Sequence, residues 1–162
     1  MKRNSAPPSV FSNPVHFLAF GLGSGTAPVA PGTFGTLAAV PLYLLLAQLP
    51  VALYLGAVVL AFGLGIWLCD RCSRDLGVHD HGGIVWDEFV GFWITMVVAP
   101  DGWQWVVAGF VLFRFFDILK PFPINYFDKH LKGGLGIMLD DALAGTFAWF
   151  ALQAAHLMFA AP

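Results

Sequence analysis

Charge is what this sequence has least of. Only 18 of its 162 residues are Asp, Glu, Lys or Arg, 11% of the chain, against about a quarter in a water-soluble domain. So few charges cannot keep the surface of a soluble fold wet, which leaves an integral membrane protein or an unusually apolar oligomer. Basic excess is missing as well. Eight Lys and Arg face ten Asp and Glu for a net charge of −2, which excludes a nucleic-acid binder that works by neutralising phosphates. Cysteine is confined to Cys69 and Cys72, a C-x-x-C without the βαβ setting of a redox pair, so both are expected to be ordinary thiols. Nucleophile signatures are absent too: there is no C-x5-R, Ser-x-x-Lys, G-x-S-x-G or H-E-x-x-H. Cysteine phosphatases, serine hydrolases and intramembrane metalloproteases are thereby disfavoured. Disorder is excluded by the 58% hydrophobic content and mean hydropathy of +0.74.

What the sequence does have is apolar helix, interrupted by charge in few places. After Lys2 and Arg3 no formal charge occurs before Asp70, and 15 of the 18 charges fall within residues 70–88 and 114–141. Helices are expected over 36–49, 51–69, 84–99, 103–119 and 137–160, divided by Pro50, by Pro100-Asp101-Gly102 and by Pro121 and Pro123. Residues 51–69 and 142–160 each run 19 residues without a charge, about 28 Å of helix and so close to a bilayer's hydrocarbon thickness. The other three are shorter, broken by Pro41 or charged at one end, and are expected to tilt, re-enter or lie at the surface. Lys2 and Arg3 lead into a polar, proline-bearing stretch, so no cleavable signal peptide is expected. Residues 1–12 read as a polar N-terminal segment and 13–162 as a single helical membrane domain. Pairing the helices as hairpins brings all eight basic residues to one face, which the positive-inside rule makes cytoplasmic. The expected class is all-α, a multi-pass helical membrane protein whose helix ends form a site on that face.

Carboxylates form the strongest constellation. Asp87 and Glu88 open the third expected helix, Asp117 lies near the end of the fourth, and Asp140 and Asp141 begin the fifth. An antiparallel array gathers these ends, where five acids would repel one another unless a cation lay among them. Hard oxygen ligands suit Mg²⁺. Helix capping explains acids at N-termini equally well, but not Asp117 at a C-terminal end. Arg114, Asp117 and Lys120 follow at i, i+3 and i+6. The first two share a face and can pair. Arg114 and Lys120 are candidate phosphate ligands, or membrane-surface anchors with Lys120 pointing into the interface. The stretch 21–36, with five glycines, two prolines, three threonines and a serine, offers amides and the hydroxyls of Ser24, Thr33 and Thr36 to an anion at a helix start. His79 and His81 are candidate general acids beside the carboxylates; His16 and His156 are expected to be structural.

Four blocks, GSGTAPVAPGTFGT (23–36), VHDHGGIVWDEFVG (78–91), RFFDILKPFPI (114–124) and GGLGIMLDDALAG (133–145), resemble the signature blocks of bacterial phosphatidylglycerophosphatase A, in the family's order. The one local departure is Gly83, where the family is expected to carry serine. The resemblance implies an all-helical, Mg²⁺-dependent lipid phosphatase of the bacterial inner membrane that converts phosphatidylglycerophosphate to phosphatidylglycerol and inorganic phosphate. Combined with the residue reading, it gives Asp87, Glu88, Asp117, Asp140 and Asp141 as the metal set. Lys120, Arg114, Ser24, Thr33 and Thr36 become phosphate ligands, and His79 or His81 the leaving-group acid. A metal-bound water or a carboxylate would attack phosphorus. A small cation transporter remains the rival; it requires acids at mid-span depth.

Overall fold

A computed structural model describes residues 7–78 and 81–160. Among the described residues seven α-helices follow one another: α1 (Pro14–Ala19), α2 (Pro31–Leu46), α3 (Val51–Leu76), α4 (Trp86–Thr95), α5 (Trp103–Leu119), α6 (Ile124–His130) and α7 (Gly133–Ala160). Two 3-10 turns, Pro8–Phe11 and Ser24–Thr26, precede α1 and α2, and no strand occurs among the described residues. α3 and α7 are the described helices long and apolar enough to cross a membrane. At ~1.5 Å per residue their 26 and 28 residues extend over about 39 and 42 Å.

Both long helices outrun the apolar runs that suggested them, for different reasons. α3 continues seven residues past Cys69 because its charges pair along the helix, Arg74 with Asp70 and Arg71 with Asp75 at 3.2 Å, each at i, i+4. It stops at Gly77, whose φ of +67 suits glycine. α7 starts at Gly133 rather than at residue 137, its glycine-rich first turn lying against α3. Asp140 and Asp141 therefore stand about two turns inside α7, beyond the reach of capping, which acts within the first turn.

α4 is the hub. Eight of its ten residues are buried, and at about 15 Å it is half a bilayer long. Contacts along its length give the direction of each neighbour. Gly32 of α2 lies by Glu88, and the Ala39 carbonyl accepts the Trp93 indole N–H at 3.1 Å, so α2 runs alongside α4 in the same direction. α3 runs the opposite way: the Trp86 indole donates to Ala61 O at 3.0 Å, while the Tyr54 hydroxyl donates to Trp93 O at 2.6 Å. α7 is parallel to α4, with the Trp149 indole on Val97 O at 2.8 Å beyond the end of α4. Their backbones touch where two glycines meet, since a Cβ on Gly145 would lie 2.3 Å from Gly91 O. α5 opposes α4, with Phe113 on Gly91 and Met96 on Gly109. The starts of α2, α4 and α7 and the ends of α3 and α5 thus collect at one end of the bundle.

Residues 7–12 are docked on that end. Val10 is fully buried, and His16, buried on α1, lies 2.8 Å from Ser9 Oγ and 3.3 Å from Asp75 Oδ2. His16 is accordingly structural, as its isolation in the sequence suggests.

Candidate active site

Three helices contribute the first half of the site. Glu88 occupies the first turn of α4, where a carboxylate complements the helix dipole, but it points inward and is only 7% exposed. Its Oε2 accepts the Thr36 hydroxyl of α2 at 2.8 Å and a guanidinium N–H of Arg114 from α5. Arg114 also pairs with Asp117 Oδ2 at 2.7 Å across one turn of α5, the i, i+3 pair that the spacing suggested. Burial, with Asp117 nearby, pushes the Glu88 carboxyl up to about 7, against the opposing pull of Arg114 and Thr36. The guanidinium in turn is held above its usual range: burial disfavours its charge, and Glu88 and Asp117 more than offset that.

The second half is built around the end of α5. Pro121 disfavours right-handed helical backbone at the preceding residue, and Lys120 leaves the helix at φ +42. This conformation is sparsely populated without glycine. It turns the ammonium back onto Asp140 Oδ2 of α7 and Asp128 Oδ1 of α6, the latter at 2.8 Å. Burial works against that charge, and Asp140 and Asp128 override it, keeping the ammonium protonated well above the usual lysine range.

Asp141 lies between the halves. It is 3% exposed and within electrostatic reach of Asp117, Asp87, Glu88 and Asp140. Arg114 faces it from α5. Asp141 Oδ2 and Asp140 Oδ1 are buried without a hydrogen-bond partner among the described residues. Such orphaned oxygens are costly. Among the described residues, six carboxyl groups, Asp87, Glu88, Asp117, Asp128, Asp140 and Asp141, share this region with two cations, Arg114 and Lys120. Among the described residues no three of the acids are already closed around a cation-sized gap. The donor set nevertheless fits one: hard oxygens, an excess of negative charge, and two buried acceptors lacking a donor.

The remaining candidates are placed unevenly. Asp87, half-buried, accepts the Glu88 backbone N–H at 3.0 Å on Oδ1. Thr36 is committed to Glu88 and to the carbonyl of Gly32 at 3.0 Å, so its hydroxyl supports the acid. Ser24 donates to Gly21 O at 2.7 Å within its own turn, and Thr33 is half-buried in the first turn of α2. His81 accepts the Gly83 N–H at 3.1 Å and packs on Phe20 at 5.4 Å between ring centres; these contacts hold it to the glycine-rich loop, not to the acids. His79 lies outside the described residues.

Two participants escape sequence reasoning. Gly32 sits on the Glu88–Arg114 pair: a Cβ there would lie 2.0 Å from Glu88 Oε1 and 3.1 Å from both terminal guanidinium nitrogens. Its place in a glycine-rich stretch was the only signal. Asp128 pairs with Lys120 across a proline turn, a spacing with no helical or strand period to reveal it.

The profile of the family described as phosphatidylglycerophosphatase A matches residues 17–156. A protein of Escherichia coli (strain K12) named phosphatidylglycerophosphatase A is 53% identical over 138 residues, covering 85% of this chain and 80% of that protein. One of the same name from Haemophilus influenzae is 55% identical over 138 residues, covering 84% and 85%. A third relative, from Bacteroides thetaiotaomicron, carries a provisional name as a phosphatidylinositol-3-phosphatase and is 40% identical over 144 residues, covering 84% and 89%. No solved structure matches the chain.

Proposed function

The chain belongs to the phosphatidylglycerophosphatase A family, and from that premise we propose that it hydrolyses the phosphomonoester of phosphatidylglycerophosphate, giving phosphatidylglycerol and inorganic phosphate. One observation carries the chemistry: the buried carboxylates of α4 and α7 and the half-buried Asp117 of α5 converge with Arg114 and Lys120, and Asp140 Oδ1 and Asp141 Oδ2 have no donor among the described residues.

Asp87, Glu88, Asp117, Asp140 and Asp141 would hold one or two Mg²⁺. The ion, when bound, would neutralise charge developing on the phosphoryl oxygens. Arg114, kept charged by Glu88 and Asp117, is placed to fix phosphate orientation. Lys120, tethered to Asp140 and Asp128, adds a second positive charge at the same end. Thr36 and Gly32 keep Glu88 where it is.

α3 and α7 would cross the bilayer, with the site at the cytoplasmic face of the inner membrane. Arg71, Arg74, Arg114, Lys120 and Lys132 all belong to the helix ends or connections gathered there, as the positive-inside rule asks. A transporter would instead place its acids midway along spanning helices.

Purified chain in detergent micelles containing phosphatidylglycerophosphate should release inorganic phosphate and phosphatidylglycerol in equal amounts. No release would refute the reading. Gly32→Ala should lower the rate by about a hundredfold, because the added methyl displaces a Glu88 carboxylate that cannot swing without losing both its partners. A rate within about twofold of the parent would remove Gly32 from the site.

A further inference from the structure

Lys120 is shared between two acids with different surroundings. Its ammonium contacts Asp140 Oδ2 on α7 and Asp128 Oδ1 on α6, the latter at 2.8 Å. The Asp140 side chain is 9% exposed and that of Asp128 38%, so the bridge runs from the buried acids to the open edge of the site. It serves only half of Asp140. Oδ1 of Asp140 has no hydrogen-bond partner among the described residues, and neither has Oδ2 of its neighbour Asp141. Asp128 is built to hold its own end. Ile124 and Asp128 are four residues apart on α6, so the helix face that carries the fully buried Ile124 also brings Asp128 to the bundle. The Leu131 N–H closes that helix on Phe127 O at 2.8 Å. Lys120 is fixed at its root by the left-handed backbone before Pro121, which leaves its side chain as the part that can move between the two acids.

We propose that Asp128 is a positioning residue for the cation site: when Asp140 takes a divalent cation, Asp128 keeps the Lys120 ammonium at the edge of the site. The proposal rests on the reading of Asp140 and Asp141 as metal ligands. Lys120 and the cation compete for one carboxylate, because both are positive and the ammonium already lies on Asp140. With Asp140 as its sole partner, the ammonium would have to stay in place or be left unpaired in a partly buried position, and either outcome weakens metal loading. Asp128 removes that choice. An ammonium given up by Asp140 is already in contact with Asp128 and still has a carboxylate to hold it. One of its three N–H groups is then free, toward the more exposed end, for a phosphate oxygen.

Mn²⁺, which carboxylate oxygens accept as they do Mg²⁺, reads loading directly. The electron paramagnetic resonance of free Mn²⁺, titrated with the purified full chain in detergent, gives Kd without turnover. Asp128→Asn should raise Kd about tenfold, and Asp128→Glu, which keeps the charge, should stay within about threefold of the parent. Asp128→Ser serves if Asp128→Asn fails to fold. Lys120→Gln should lower Kd, and in that background Asp128→Asn should change it by less than about threefold, because no ammonium is left to place. A rise as large in the Lys120→Gln background as in the parent would make Asp128 a ligand in its own right and overturn the proposal. A Kd that Asp128→Asn leaves unmoved, whatever the unfolding midpoint does, would make the pair a structural bridge and overturn it equally, as would a Kd that Lys120→Gln fails to lower. A parent that takes up no Mn²⁺ would bring down the cation reading and this proposal together. The expected pattern of Kd in a chain that releases no phosphate would leave the proposal standing while the phosphatase reading fell.

Discussion

Asp141→Asn should abolish phosphate release, by about a thousandfold or more, while leaving the protein folded and as stable as the parent or more so. A thousandfold corresponds to about 4 kcal/mol of lost transition-state stabilisation, the scale for removing one preorganised electrostatic partner from a dry site. The stability half follows from the same geometry. Asp141 is buried, its Oδ2 has no hydrogen-bond partner among the described residues, and four other carboxyl groups act on it. Asparagine keeps the volume and removes the repulsion. A residue kept for packing would behave in the opposite way, losing stability before activity. Initial rates in micelles, paired with thermal unfolding in the same detergent without added metal, separate the two. Turnover within about tenfold of the parent would take Asp141 out of the site.

Arg114→Leu should have the largest structural effect. The guanidinium bridges Glu88 and Asp117, and removing one partner from a buried ionic network costs about 3–5 kcal/mol. The loss depends on pH in a definite direction. Glu88 is raised in the folded protein to about 7 from an ordinary value of 4.5, so between those values the folded state binds more protons than the unfolded one. Stability therefore falls as pH rises through that window. Without Arg114 the cation that holds Glu88 down is gone, and its carboxyl rises further. Arg114→Leu should then be far closer to the parent at pH 5 than at pH 8, where Glu88 would be buried, charged and unpaired. Unfolding midpoints across that range check this. An equal deficit at both ends would mean that Arg114 does not neutralise Glu88.

Much of this site is legible in the sequence because charge is so scarce. Asp87, Glu88, Asp117, Asp140 and Asp141 are half of all the acids in the chain, and the proline and glycine breaks put them where the bundle brings helix ends together. The Arg114–Asp117 pair follows from spacing alone. Helix limits were harder to read. The apolar run ends at Cys69, yet Asp70, Arg71, Arg74 and Asp75 pair along the helix and prolong it. The glycines at 133 and 134, poor helix formers in isolation, begin α7 because α3 lies close enough to require them, and Gly136 packs on the backbone of Leu131. The sequence leaves Lys120 open as a phosphate ligand or a membrane-surface anchor; its pairing with Asp140, made by the backbone turn beside Pro121, has no spacing to announce it. Long-range pairing of this kind, like that of Gly32 with Glu88, has no period to read.

A cation held by buried carboxylates is tested most directly by phosphate release from phosphatidylglycerophosphate before chelation, after it and after Mg²⁺ is restored. Release should stop in the chelator and return in full with Mg²⁺. Undiminished turnover in the chelator would mean that the carboxylates hold no catalytic cation.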